Sequence, residues 1–581
     1  MTTHTAVREL CRQHGHLLHL TAPNQLFVRV DDEGRLRSLA TRLSEQGFYL
    51  VTLVATDERE LIDGSFKLTY LFSPPNEDIF LFVEHPLRPE RSEPPCYASL
   101  LSWFPSVDPF EREMADMMGL FPGENGPGRL GDHAPRIHNG DWLHPECYPP
   151  ALTPLRRDRK TNEILTDIQQ YGRRPELDHL PEPKGGEWLL PVGPVHASII
   201  APGRFLFRLA GEVVEEVTVR LGYTHKGIEW IFQTDYKLAE GWQLAEYVAG
   251  DSAFAHSLAY CLAAEALADS RPPRQASWLR ALFLELERIA NHIGDCAALA
   301  HDVASDLAAT ELAALREEIL CLHERMTGHR LLRGINRPGG VILPSTIDVE
   351  DCRRTVQDAV ESFAAVATSL EQMPAFRERL QWQGILTHRQ ASSLGVTGLV
   401  ARASGVMRDV RRQHPDSVYQ APAIRDLLIP PPQNPIAERE ATAGDAFARF
   451  LVRVHEVASS GRIINEILGQ DEIRNHDREN VTPTAFPPSH NYEFGLGCVE
   501  GWRGDIIYWL MQDRFGRIFR CKVRDPSYLN WPSLKAAIEP HDLDKEYIDK
   551  HHPPERRAQT LLADFPIINK SFNLSYSGND L

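Results

Sequence analysis

Two short polar segments hold the residues of this chain best suited to chemistry. Residues 246–256 read Glu246-Tyr247-Val248-Ala249-Gly250-Asp251-Ser252-Ala253-Phe254-Ala255-His256, and residues 525–530 read Asp525-Pro526-Ser527-Tyr528-Leu529-Asn530. His196 and His225 stand earlier in the chain. Histidine and carboxylate side chains pass protons, and a tyrosine hydroxyl hydrogen-bonds a carbonyl acceptor. His256 follows Ser252 at helical spacing, which places the two on one face. Asp251 needs a cationic partner if it is buried, and Arg337 is the expected one. Two readings are open. One is a polar cavity that conducts protons or binds a small acceptor. The other is a bundle core whose polar groups satisfy one another. Thiolate chemistry is not offered: the nine cysteines are scattered and no two stand in a C-x-x-C spacing, so zinc-ribbon, iron–sulfur and thioredoxin-type sites lack their paired ligands. Isolated thiols suit a reducing compartment.

The elements that must position these residues divide into three regions. A length of 581 residues calls for more than one domain. Residues 1–150 mix helix and strand signals in an α+β pattern: an amphipathic helix over 36–48, strands over 49–56, 66–73 and 79–84, and turns at Asp63-Gly64 and Pro74-Pro75-Asn76. Residues 151–186 are polar and proline-broken, with a basic run from Arg156 to Lys160, and read as an extended linker. Residues 187–581 open on strands over 205–209 and 213–221. Long helical patterns follow over 236–269, 276–299, 307–332, 349–380 and 443–468, then a hairpin over 505–512 and 517–523. The expected fold is therefore an α+β N-terminal domain plus a mainly α large domain, a helical bundle with small peripheral sheets. A net charge of −18 disfavours nucleic-acid binding. No apolar run reaches membrane-span length and the first residues carry no signal-peptide pattern, so a cytoplasmic protein is expected, held to a membrane only through partners.

Longer motifs add a family resemblance. The stretch Phe104 to Leu120 contains Glu111-Arg112-Glu113-Met114-Ala115-Asp116-Met117-Met118-Gly119, which resembles the E-R-E-x-x-D-M-F-G signature of the small hydrophilic subunit of respiratory complex I. Asp141-Trp142 and the basic run after Leu155 loosely echo that subunit's tail. Without the resemblance, Glu111, Arg112, Glu113 and Asp116 read equally well as a solvated charged helix. Gly193 to Phe205, Gly211-Glu212, Leu221 to Glu229, Glu285 to His292, Thr327 to Arg330, Arg337 to Gly340 and Gly398 to Arg408 are similar, in order, to group 4 nickel–iron hydrogenase large subunits and the related quinone-site subunit of complex I.

What the resemblance implies is a fusion of the two subunit types, with a hydrogenase large-subunit-like fold over residues 187–581. In that family four cysteines hold nickel and iron. The matching positions here are Ala249, Ser252, Ser527 and Asn530, a poor set for a soft thiolate-bound metal pair. No metal is expected on this chain. The resemblance places His196, His225, Glu246, Tyr247, Asp251, Ser252, His256, Asp525 and Ser527 around the family's central cavity. Tyr247 matches the quinone-facing tyrosine of complex I, whereas Ile200 and Ala201 replace its loop histidine and the hydrogenase loop glutamate. A quinone is thus a candidate ligand with one of two donors present. The tail through Phe565 to Tyr576 is expected to stay and pack. The implied role is a core component on the cytoplasmic side of a membrane-bound, energy-converting redox complex. Its partners would be an iron–sulfur small subunit and antiporter-like membrane subunits. The rivals are a quinone-reducing subunit using Tyr247 and a non-catalytic scaffold.

Overall fold

Strands in the first third alternate apolar residues on both faces, and the sheet they make is covered on both sides. In the computed structural model, residues 3–17, 24–61, 64–75, 77–87, 96–123, 152–171, 186–196, 200–344, 346–416, 418–428, 435–474, 492–579 and 581 are described. The five-stranded sheet runs His16–Leu17, Gln25–Arg29, Phe80–Leu87, Phe66–Ser73, Tyr49–Asp57 in spatial order. Gln25–Arg29 pairs parallel with Phe80–Leu87, and the other neighbours are antiparallel. The helix expected over 36–48 spans Glu33–Glu45. The Asp32 carboxylate caps its start by accepting from the Arg35 N–H, and Leu36, Leu39, Ala40 and Leu43 form its buried stripe.

The other face of this sheet joins the two halves of the chain. Phe27, Val51, Val54, Leu71, Phe80 and Phe82 pack on Ile507, Trp509, Met511 and Phe519. The latter belong to a three-stranded antiparallel sheet of Phe494–Glu500, Asp505–Gln512 and Ile518–Arg524. The expected hairpin is the second and third of these strands. Above them lies the helix Ala253–Leu267, almost wholly buried. It sits close because Gly495 and Gly497 face it: a Cβ at either would come within about 2 Å of the Ala263 or Ala259 carbonyl oxygen.

The bundle is built from Arg274–Asp302, Asp306–Thr327, Val349–Gln372 and Ala446–Gly469. Two expected helices are corrected. The pattern over 236–269 is broken into Trp242–Ala245, a 3-10 turn Gly250–Ser252 and Ala253–Leu267. Tyr236 is extended, and Lys237 bridges to Arg517, so the chain cannot continue in one helix. The pattern over 349–380 ends at Gln372 and restarts at Pro374–Leu380, because proline supplies no N–H and the residue before it is driven extended. A third small sheet, Trp188–Val192, Arg204–Ala210 and Val213–Arg220, has Trp188–Val192 at one edge.

The extended-linker expectation also needs correction over residues 152–171. Thr161–Tyr171 is a helix, and the basic run is a clamp rather than free chain. The Arg157 backbone N–H donates to Asp57 (2.9 Å), while its guanidinium donates to the Phe519 carbonyl (3.1 Å) and stacks 4.2 Å from the Phe519 ring. Asp141-Trp142 and the prolines 175, 181 and 183 lie outside the described residues.

Candidate functional site

The 246–256 and 525–530 segments meet at one buried histidine. His256 Nε2 lies 3.0 Å from an Asp525 oxygen and its Nδ1 lies 3.1 Å from the Tyr508 hydroxyl. A carboxylate only accepts, so Nε2 carries a proton and donates to Asp525. Asp525 also caps the helix Pro526–Ile538 by accepting from the Ser527 N–H at 2.7 Å. Burial works to raise the Asp525 pKa. His256, the Arg503 charge and the Ser527 side chain outweigh it and hold the carboxyl below its ordinary range.

Arg503, which no sequence motif marks, organises the other side. Its guanidinium grips Asp251 with two bonds of 2.6 and 2.7 Å, lies 3.4 Å from the Ser252 hydroxyl and donates to the Asn573 carbonyl at 2.6 Å. The expected Asp251–Arg337 pair is therefore wrong. Arg337 instead lies 3.3 Å above the Trp242 ring and donates to the Gly334 and Asn336 carbonyls. No spacing in the sequence singles out Arg503, because its register is set by the tight 501–504 turn, where the Gly501 and Gly504 backbones bond each other.

That turn is held from below by a buried charge network. Arg288 donates to the Glu500 and Gly501 carbonyls (2.6 and 3.0 Å) and to Glu285 (3.1 Å). Glu285 also accepts from Arg411, Tyr419 and Ser460. The Glu285–His292 motif thus braces the loop that carries Arg503.

Each of the four positions matched to metal ligands is closed. Ala249 is buried and has no donor atom. Asn530 bonds the Thr397 backbone through both ends of its amide. The Ser527 hydroxyl accepts from the Ser575 N–H at 2.9 Å. Ser252 faces the Arg503 cation. Among the described residues no group of three or more His, Cys, Asp or Glu side chains is arranged to hold a metal ion. The tail fills the space instead, as expected. Ser577 donates to the Val248 carbonyl at 2.8 Å, and a Cβ at Gly578 would meet the Asp525 carboxylate at about 2.5 Å.

The remaining candidates do not converge on this point. Glu246 is buried and accepts from the Gly334 N–H at 2.7 Å, with burial raising its pKa. His196 closes on its own loop, 2.6 Å from the Gly203 carbonyl oxygen. Tyr576 of the tail packs against that loop at Gly203. His225 borders a separate cavity against the N-terminal region. Tyr247 is 53% exposed, with the Arg333 guanidinium 4.5 Å from its ring centre.

A further residue that sequence reasoning missed is Glu287. Its carboxylate caps the Ala253–Leu267 helix by accepting from the Phe254 and Ala255 N–H groups (2.8 and 3.2 Å), yet burial pushes its pKa up to about 8. The folded chain then keeps a proton that the unfolded chain releases near pH 4.3. The stability this confers is full below about pH 4.3 and is lost as pH rises through about 8, at no more than ~1.4 kcal/mol per pH unit. Glu287→Gln should therefore gain relative to wild type as pH rises from 5 to 9, read from urea midpoints. Equal pH dependence in the two proteins would contradict it.

Comparison with known proteins accords with the geometry. Residues 28–164 match the family model for the respiratory-chain NADH dehydrogenase 30 Kd subunit, and residues 307–545 match that for the 49 Kd subunit. The chain is 28% identical over 506 residues to formate hydrogenlyase subunit 5 of Escherichia coli, covering 85% of this chain and 81% of that protein. It is 27% identical over 365 residues to membrane-bound hydrogenase subunit alpha of Pyrococcus furiosus, covering 61% and 82%. It is 28% identical over 394 residues to the NADH dehydrogenase [ubiquinone] iron-sulfur protein 2 of Arabidopsis thaliana, covering 62% and 92%.

Proposed function

From a chain that belongs to the complex I and group 4 hydrogenase superfamily, as a fusion of its 30 Kd and 49 Kd subunit types, we propose a peripheral core component of a membrane-bound energy-converting redox complex that holds no nickel–iron centre. It is a subunit of an oxidoreductase assembly, and no described helix is long and apolar enough to cross a membrane. In our reading it docks, on the cytoplasmic side, against an iron–sulfur small subunit, which rests on antiporter-like membrane subunits. The complex then couples electron transfer near that cluster to ion movement. The closed state of Ala249, Ser252, Ser527 and Asn530 supports the reading without nickel.

The observation that carries the docking is an apolar surface. Among the described residues, six of the fourteen exposed large apolar side chains fall between residues 188 and 247: Trp188, Leu190, Val195, Ile200, Tyr223 and Tyr247. They lie on the edge strand, the loop after it and the turn that Lys226 pins to the Tyr247 carbonyl. Exposed large apolar side chains concentrated in one stretch of the chain support an association surface there. The double variant Trp188→Asp/Val195→Asp should fold with stability within about 0.5 kcal/mol of wild type, since both sites are exposed. It should lose its cluster-bearing partner on purification. Retention of that partner would remove the docking assignment.

The exposure of Tyr247 favours one second reading, quinone reduction at the same interface. Its hydroxyl then donates to a quinone carbonyl, with Arg333 over the ring. Tyr247→Phe should lower quinone-linked turnover of the purified complex by about 10-fold or more and relieve quinone-site inhibitors. Unchanged turnover and inhibition would leave the docking role alone.

A further inference from the structure

The tail is tied to the buried core and reaches from there to two loops of the exposed apolar stretch. The core ties come from the helix Pro526–Ile538 and the 501–504 turn. Trp531 Nε1 donates to the Ser575 carbonyl at 3.0 Å, and its ring meets the Tyr576 ring edge-on at 5.0 Å. The Ser527 hydroxyl accepts from the Ser575 N–H, and Arg503 donates to the Asn573 carbonyl. One short helical turn follows, Tyr576–Asn579. From it the Tyr576 ring packs on Gly203, so closely that a Cβ there would lie 2.4 Å from a ring carbon. Ser577 donates to the Val248 carbonyl at 2.8 Å.

Gly203 follows the exposed Val195 and Ile200, and Val248 follows the exposed Tyr247. Each loop is closed locally. The Gly203 N–H donates to the Pro194 carbonyl, and the Tyr247 N–H donates to the Leu244 carbonyl. Tyr576 and Ser577, adjacent in the chain, touch one loop each, so the tail bridges the two. We propose that Tyr576 and Ser577 are positioning residues for docking, which fix the spacing of the two loops before the cluster-bearing partner arrives. The proposal deepens the docking reading above and rests on it. Loops ordered in advance need not be ordered at the moment of binding, and that raises affinity. The bridge has little slack. A Cβ at Gly578 would lie 2.5 Å from the carboxyl carbon of Asp525, and that carboxylate is itself held by His256 and the Ser527 N–H. One added methyl group at position 578 therefore displaces the tail without removing it.

The test compares Gly578→Ala and Tyr576→Ala/Ser577→Ala with wild type in two measurements. The first is hydrogen exchange at the Gly203, Tyr247 and Val248 amides of the purified full chain. Both variants should exchange there about tenfold faster or more, while the Arg274–Asp302 helix keeps its protection and so reports an intact bundle. The second is retention of the cluster-bearing partner, whose affinity should fall about tenfold. Tyr576→Phe keeps the ring and Ser577→Thr keeps the hydroxyl, and each should match wild type in both measurements. Unchanged exchange at the three amides would overturn the proposal whatever the partner does. Faster exchange with full retention of the partner would overturn it where Trp188→Asp/Val195→Asp loses that partner. Where that surface variant also keeps the partner, the docking reading itself falls and takes the proposal with it.

Discussion

Glu285→Ala is expected to cost the folded chain about 3–5 kcal/mol, the range for removing one member of a buried ionic cluster. Glu285 is fully buried and accepts from Arg411 (3.0 and 3.2 Å), Arg288 (3.1 Å), Tyr419 (2.6 Å) and Ser460 (2.6 Å). Without the carboxylate, two guanidinium groups and two hydroxyls each lose a partner in a fully buried place. Burial acts to raise the Glu285 pKa, but Arg411, Arg288 and the two hydroxyls bring it down to about 2. The sign follows: this carboxylate contributes stability above the unfolded value of about 4.3, and that contribution is lost as pH falls toward 2. The gap between wild type and variant, read from urea unfolding, should be full at pH 6 and shrink below pH 4. A gap under about 1 kcal/mol at pH 6 would mean that the network carries little of the fold. Because Arg288 also holds the Glu500–Gly501 backbone, the variant should loosen Arg503 and its grip on Asp251.

Lys522→Met is expected to cost a similar ~3–5 kcal/mol, and to separate the two halves of the chain. Glu113 comes from the N-terminal helix Asp108–Met118, Glu229 from the helix Ile228–Asp235 and Lys522 from the C-terminal sheet. The ammonium is the charge between two buried carboxylates, and Arg520 remains on Glu229 at 2.7 Å. Removing Lys522 leaves Glu113 without an ion-pair partner among the described residues, with only the more distant Arg520 charge acting on it, and its pKa is already raised by burial. The variant should protonate Glu113 or open the junction, giving two unfolding transitions where wild type has one. Lys522→Met/Glu113→Gln should recover part of the loss, because the uncompensated charge is gone. A single transition of unchanged midpoint in the single variant would contradict this account.

The elements with strong periodicity are legible in the sequence. The first sheet's three main strands, its helix and most long bundle helices lie where apolar spacing places them. The breaks are less so. Lys237 leaves the helical pattern because it bridges to Arg517, nearly three hundred residues away. Long-range partners also decide the site. The 246–256 and 525–530 segments do meet, through His256 and Asp525, and the tail packs as expected. Arg503 cannot be picked out, since its meeting with Asp251 depends on a turn between two strands. The charge pattern of Glu111 to Asp116 fits a solvated helix equally well. The structure instead buries Glu111 against Ser99 and the Leu100 N–H, where burial lifts its pKa to about 7, and buries Glu113 on Lys522. Charge pattern alone does not tell a solvated face from one that meets a countercharge in another region.

The central claim, a core component of a membrane-bound redox complex, is tested most directly by affinity purification. A tagged chain would be drawn from membranes in mild detergent and every co-purifying protein identified by mass spectrometry. The account predicts a cluster-bearing small subunit together with antiporter-like membrane proteins, with no nickel on this chain. Recovery of the chain alone from the soluble fraction would contradict it.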